Sequence, residues 1–127
     1  MTRSVFRLSL AVLSVLCASA LAGEALAGEA DVVGVEIRRS GETWSFDVTV
    51  RHADTGWDHY ADRWDVVAPD GTVLATRTLH HPHVEEQPFT RSLGGVAIPA
   101  GVEAVTLRAH DSVHLYGGAE VRVVLPR

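Results

Sequence analysis

The sequence predicts an all-β fold, a seven-stranded antiparallel β-sandwich, on three observations. Beyond residue 31, apolar residues recur at every second position in seven short runs, the period of a half-buried strand. Turn signals rich in Gly, Pro and Asp separate the runs, among them Ser40-Gly41-Glu42 and Pro69-Asp70-Gly71. No stretch carries a convincing amphipathic helix pattern.

The chain has 127 residues, one domain's length, and its first part reads as an export signal. Arg3 and Arg7 precede an apolar run from Leu8 to about Ala20. Two small-residue cleavage patterns follow, Ala20-Leu21-Ala22 and Ala25-Leu26-Ala27. The run is shorter than the roughly 18 to 20 residues of a spanning helix. Residues 1–22 are therefore expected to be a cleaved signal peptide, with cleavage after 27 as the alternative, and the mature chain is expected to be periplasmic or secreted with no membrane insertion. Cys17 stands behind Ser14-Val15-Leu16 rather than behind the small residues that lipidation requires. It is expected to leave with the signal, so disulfides, thiolate ligands and cysteine nucleophiles are excluded.

The formal charge of −5 comes from 11 basic and 16 acidic residues. Cleavage after Ala22 removes Arg3 and Arg7 and leaves 9 basic against 16 acidic residues, a charge of −7. An acidic domain of this kind is a poor partner for nucleic acid or for anionic membrane surfaces, both of which need a basic patch.

Residues 23–31, built on a repeated Ala-Gly-Glu-Ala pattern, are expected to be a flexible leader to a sandwich over residues 32–127. In the first strand Val33, Val35 and Ile37 alternate with Gly34 and Glu36. The second is the clearest: Trp44, Phe46, Val48 and Val50 face one way, Ser45, Asp47, Thr49 and Arg51 the other, and continued alternation makes His52 core-facing. A loop from Ala53 to Asp62 precedes a third strand, Arg63 to Ala68, with Trp64 and Val66 inward. Pro69-Asp70-Gly71 turns the chain into a fourth, Val73 to Leu79. Phe89 to Leu93 is a fifth strand and Gly94 to Gly101 a loop, with Gly94-Gly95 and Gly117-Gly118 read as turn glycines. Val105, Leu107 and Ala109 share one face of the sixth strand, and Val121, Val123 and Leu125 one face of the last.

The final stretch, a strand, Arg108-Ala109-His110-Asp111, Gly117-Gly118 and a closing strand, resembles the last hairpin of immunoglobulin and fibronectin type III domains. Trp57-Asp58-His59-Tyr60-Ala61-Asp62, His81-Pro82-His83-Val84 and Gln87-Pro88-Phe89-Thr90-Arg91-Ser92 together resemble small secreted bacterial proteins of unknown function, a likeness that implies no activity.

Strand direction then sorts the loops between two poles. The loops after strands one, three and five hold no histidine. Those after strands two, four and six begin at His52, His80 and His110 and hold all seven, with Trp57, Tyr60, Tyr116, Asp54, Asp58, Asp62, Glu85, Glu86 and Asp111. Imidazoles gathered from several loops are the donors that copper and zinc take. The expected metal ligands are His81, His83, His110, His114, His80, His59 and Asp111, with Glu85 an alternative carboxylate. His52 is expected to be a satisfied buried histidine. The rival reading makes the histidines a hydrogen-bonded cap, with Trp57, Tyr60 and Tyr116 recognising a protein or glycan.

Catalytic patterns are weak. Ser112, His110 and Asp58 lack a nucleophile elbow. Glu85 and Glu86 are adjacent and would point apart in an extended segment, and no phosphate-cradling loop occurs. The sequence expectation is an exported, non-enzymatic carrier or accessory that binds copper or zinc, with a cell-envelope metalloprotein as partner.

Overall fold

A computed structural model describes residues 28–127, and the expected signal peptide, Cys17 and both cleavage patterns lie outside that range. Seven strands follow in chain order: β1 (Asp31–Ser40), β2 (Thr43–Arg51), β3 (Ala61–Val67), β4 (Val73–Thr78), β5 (Phe89–Ala97), β6 (Ala104–Asp111) and β7 (Val121–Val124). They form a three-stranded sheet, β1-β2-β5, and a four-stranded sheet, β4-β3-β6-β7, antiparallel throughout. The constant-type immunoglobulin order would place the fourth strand on the first sheet, whereas here β4 pairs with β3.

The alternation dictates the core. Trp44, Phe46, Val48 and Val50 of β2 are buried against Trp64 and Val66 of β3 and Val105, Leu107 and Ala109 of β6. Each such aliphatic or aromatic side chain contributes about 1.5 to 3 kcal/mol by leaving water. Among the described residues no helix is long and apolar enough to cross a membrane.

Two glycine pairs differ from the turn reading. Gly94 and Gly95 lie inside β5, which runs on to Ala97. Trp44 pairs with Val96 but Phe46 with Leu93, so β5 carries one extra residue, and Gly95 accepts it at φ 66°. Gly118 is a close approach rather than a turn: a Cβ there would lie 2.0 Å from the Ala30 carbonyl oxygen. Residues 28–31 pack there, with Ala30 buried and the Asp31 carboxylate accepting the Ala119 N–H at 2.7 Å.

The β2–β3, β4–β5 and β6–β7 loops meet at one pole. Ser112 and Tyr60 bond reciprocally, Ser112 N–H to the Tyr60 carbonyl and Tyr60 N–H to the Ser112 hydroxyl. The His83 N–H reaches the Asp54 carboxylate, and the His52 N–H reaches the Gln87 side-chain oxygen. All seven histidines stand on these loops or at the strand ends that lead into them.

Candidate metal centre

The alternation of β2 carries one residue past the strand and buries His52, and Asp54 follows on the same side two residues later. His52 Nδ1 and Asp54 Oδ1 are 2.5 Å apart with both side chains out of water. Asp54 is itself fixed, accepting the N–H of Ala61 at 3.0 Å on Oδ1 and that of His83 at 2.7 Å on Oδ2. The His52 Nδ1–H is therefore committed to Asp54, and Nε2 is aimed at the pole.

His59 and His114 converge on the same point. His59 Nε2 lies 3.2 Å from His52 Nε2, 3.2 Å from His114 Nδ1 and 3.3 Å from Asp111 Oδ1. A ring nitrogen has one hydrogen or one lone pair in its plane, so three such neighbours cannot all be hydrogen-bonded to it. Asp111 closes the group. Its Oδ1 accepts the N–H groups of Val113 and His114, while Oδ2 is buried with no hydrogen-bond partner among the described residues, 3.7 Å from His52 Nε2. An uncompensated buried carboxylate oxygen is costly, and costs of this kind persist where something else meets the charge.

The hairpin tip is held under strain. Leu115 adopts φ 64°, in the left-handed region, and exchanges backbone hydrogen bonds with Asp111 at 2.9 and 3.1 Å. A side chain there costs about 1 to 2 kcal/mol, and the bend brings the His114 ring back over Asp111.

Charge at the site follows from these contacts. Burial opposes the charged form of His52, but the hydrogen bond to Asp54, with the charges of Asp54 and Asp111 and the Gly28 carbonyl, outweighs it and raises its pKa. Burial likewise opposes ionised Asp111, yet the His114 and Val113 N–H groups and the nearby imidazoles hold its pKa below the ordinary value. Asp54 is lowered too, its burial outweighed by the His52, His83 and Ala61 hydrogen bonds.

Of the ligands expected from the sequence, His59, His114 and Asp111 stand together, joined by His52. The others stand apart from them. His110 pairs with Asp62 at 2.5 Å and packs edge-on to Tyr116, beside a bulge where Asp62 is the extra residue. His83 stacks on Phe89, with ring centroids 4.0 Å apart, and its Nε2 accepts from Arg91. His81 lies against His83 with ring centroids 4.6 Å apart, and His80 is exposed. Glu85 is exposed. The aromatic residues divide as well. Trp57 is 67% exposed and edge-on to Tyr60, whereas the Tyr116 hydroxyl donates to Asp65 and its ring lies under Arg108. The signal for His52 was the His-x-Asp pair at the end of a strand whose alternation buries both residues.

No protein-family model matches the chain. A protein of Halomicrobium mukohataei with the name "Putative lipoprotein" is 43% identical over 90 residues, 70% of this chain. The chain spans 44% of that relative's length. Among solved structures, a hypothetical protein from Pyrococcus horikoshii OT3 matches over 77% of this chain and 90% of its own, at 14% identity and a TM-score of 0.53, a likeness of fold. A superoxide reductase in the oxidised state matches over 78% and 90%, at 14% identity and a TM-score of 0.48. This last comparison corrects the expectation that the chain is not an enzyme. The likeness brings no reaction and no site with it.

Proposed function

We propose that the chain is an exported β-sandwich that binds a divalent transition metal, copper or zinc, through His52, His59 and Asp111, with His114 flanking His59. It serves as a carrier or as an accessory to a cell-envelope metalloprotein. The observation that carries this reading is the shared approach to His59 Nε2, with the orphaned Asp111 Oδ2 beside it. Four donors held tetrahedrally at about 2.0 to 2.1 Å from a metal stand about 3.3 Å from one another. His52, His59 and Asp111 offer donor atoms that all lie within 4.8 Å of one another, His52 Nε2 and His59 Nε2 being 3.2 Å apart, and His114 Nδ1 flanks them 3.2 Å from His59 Nε2. A metal among His52, His59 and Asp111 would meet the lone pairs that cannot all be hydrogen-bonded, and the Asp54 carboxylate behind His52 is the partner that would fix a ligating ring.

An exported location agrees with the signal-peptide order of the first residues and with the lipoprotein name of the relative. The test is titration of the mature, tag-free domain with Cu(II) and Zn(II) under competition. Stoichiometric binding tighter than about micromolar, lost in the His59→Ala/His114→Ala double variant but kept in His81→Ala, is the expected result. Absence of binding to either metal would overturn the reading. It would favour a hydrogen-bonded cap beside the exposed Trp57, a surface for protein or glycan.

A further inference from the structure

The Gly28 carbonyl oxygen stands 3.0 Å from His52 Nε2, the nitrogen that also faces His59 and Asp111. The segment carrying it is fixed. Ala30 is 1% exposed, the Val32 N–H donates to the Ala119 carbonyl at 2.8 Å, and Gly118 leaves the Ala30 backbone the room that a Cβ would fill. Gly28 also directly follows Ala25-Leu26-Ala27, the second of the two cleavage patterns. These two facts have one meeting point.

We propose that signal-peptide processing after Ala27 completes the metal site, the new α-amine of Gly28 and its carbonyl oxygen joining His52, His59 and Asp111 as ligands. This rests on the metal reading above. In the unprocessed chain the Gly28 nitrogen is an amide, whose lone pair is delocalised into the carbonyl and does not coordinate. A signal peptidase hydrolyses the Ala27–Gly28 bond with one water, so that Ala27 leaves as a carboxylate and Gly28 keeps a basic amine. Covalent geometry holds that nitrogen about 3 Å from its own carbonyl oxygen. Nitrogen and oxygen of one residue then close a five-membered ring on the metal. Glycine adds no side chain to crowd the imidazoles. Processing would thus couple metal loading to export, because the complete donor set exists only after cleavage.

The test begins with the full chain expressed with export and the intact mass of the mature protein; a chain starting at Gly28 is expected, and one starting at Gly23 or at a lipid-modified Cys17 overturns the proposal. Protein starting at Gly28 is then titrated with Cu(II) and Zn(II), beside the same protein acetylated at its amine and a protein starting at Ala27. The chain contains no lysine, so acetylation has no other primary amine to modify. An intramolecular donor held at the site should tighten binding by about tenfold or more, and acetylation or the extra residue should remove that gain. Equal affinity in all three forms overturns this inference and leaves the metal reading standing. Absence of binding in all three overturns both.

Discussion

Asp111 Oδ2 lies 3.7 Å from His52 Nε2, both side chains fully out of water, and among the described residues no hydrogen-bond donor reaches that oxygen. The other carboxylate oxygen already receives two backbone N–H groups, so Asp111 is anchored by one atom and offers the other. Asp111→Asn keeps the anchoring oxygen and puts an amide donor where the free oxygen was. In the metal-free protein the melting temperature should fall, because the fold holds the Asp111 pKa below its ordinary value and so favours the ionised carboxylate that the amide replaces. Metal affinity should fall by more than the about 10- to 100-fold that losing an outer partner costs. Thermal unfolding with and without Zn(II) checks both halves. A variant less stable without metal and unchanged in affinity would make Asp111 a structural turn residue alone.

Asp54 is anchored through both oxygens, which three N–H donors share: His52 Nδ1–H and Ala61 N–H on Oδ1, His83 N–H on Oδ2. Asn has one acceptor oxygen, so Asp54→Asn strands at least one buried donor, at a cost of about 1 to 3 kcal/mol. In a domain of this size each kcal/mol is worth about 4 to 8 °C in melting temperature. The same variant should weaken metal binding about 10- to 100-fold by freeing the His52 ring. Loss of stability and affinity together is the expected signature, measured by unfolding and by competitive titration.

Leu115 sits at φ 64° with its side chain 56% exposed, so it has backbone strain and little packing to lose. Leu115→Gly should relieve the strain, leaving the melting temperature unchanged or higher, where glycine inside an ordinary strand costs roughly 0.5 to 1 kcal/mol. Zinc affinity should stay within about twofold, since the Asp111 carboxylate still holds the tip through the Val113 and His114 N–H groups.

The period-two runs carried the layers of the sandwich into the sequence, because burial of one face is what the alternation encodes. Counting strands placed the seven histidines at one pole for the same reason. What alternation does not encode is where a ring points after the strand ends. His81 and His83 share an extended segment and their rings do come together, yet stacking on Phe89 and the Arg91 guanidinium hold His83 on the β5 side. His110 lies one residue before Asp111, but the bulge at Asp62 gives its Nδ1 a private carboxylate. His52 reads as a core residue from its position and is one, buried against Asp54, while its far nitrogen reaches the cluster. The glycines of β5 look the same in a bulge as in a turn, since both need a positive φ.

Two histidines should give the pole opposite responses to pH. His52 has a folded-state pKa above its unfolded value, so its contribution to the metal-free protein is fully present below the unfolded pKa and is lost as pH rises through the folded one. His83 is pushed the other way, by burial first and then by the charges of Arg91 and His81. At pH values between its depressed folded pKa and the ordinary value near 6.5 the unfolded chain binds the extra proton, so stability falls as pH falls. In His83→Gln that acid-side loss should disappear, and the metal-free melting temperature between about pH 7 and pH 5.5 should fall less than in the parent or should rise. Metal reverses the sign for His52. A ligand must be neutral, and a raised pKa lets protons compete at higher pH than for a free imidazole. The zinc-induced increase in melting temperature should therefore shrink as pH drops from about 8 to about 6, as much in His83→Gln as in the parent. A zinc effect independent of pH over that range would remove His52 from the ligand set.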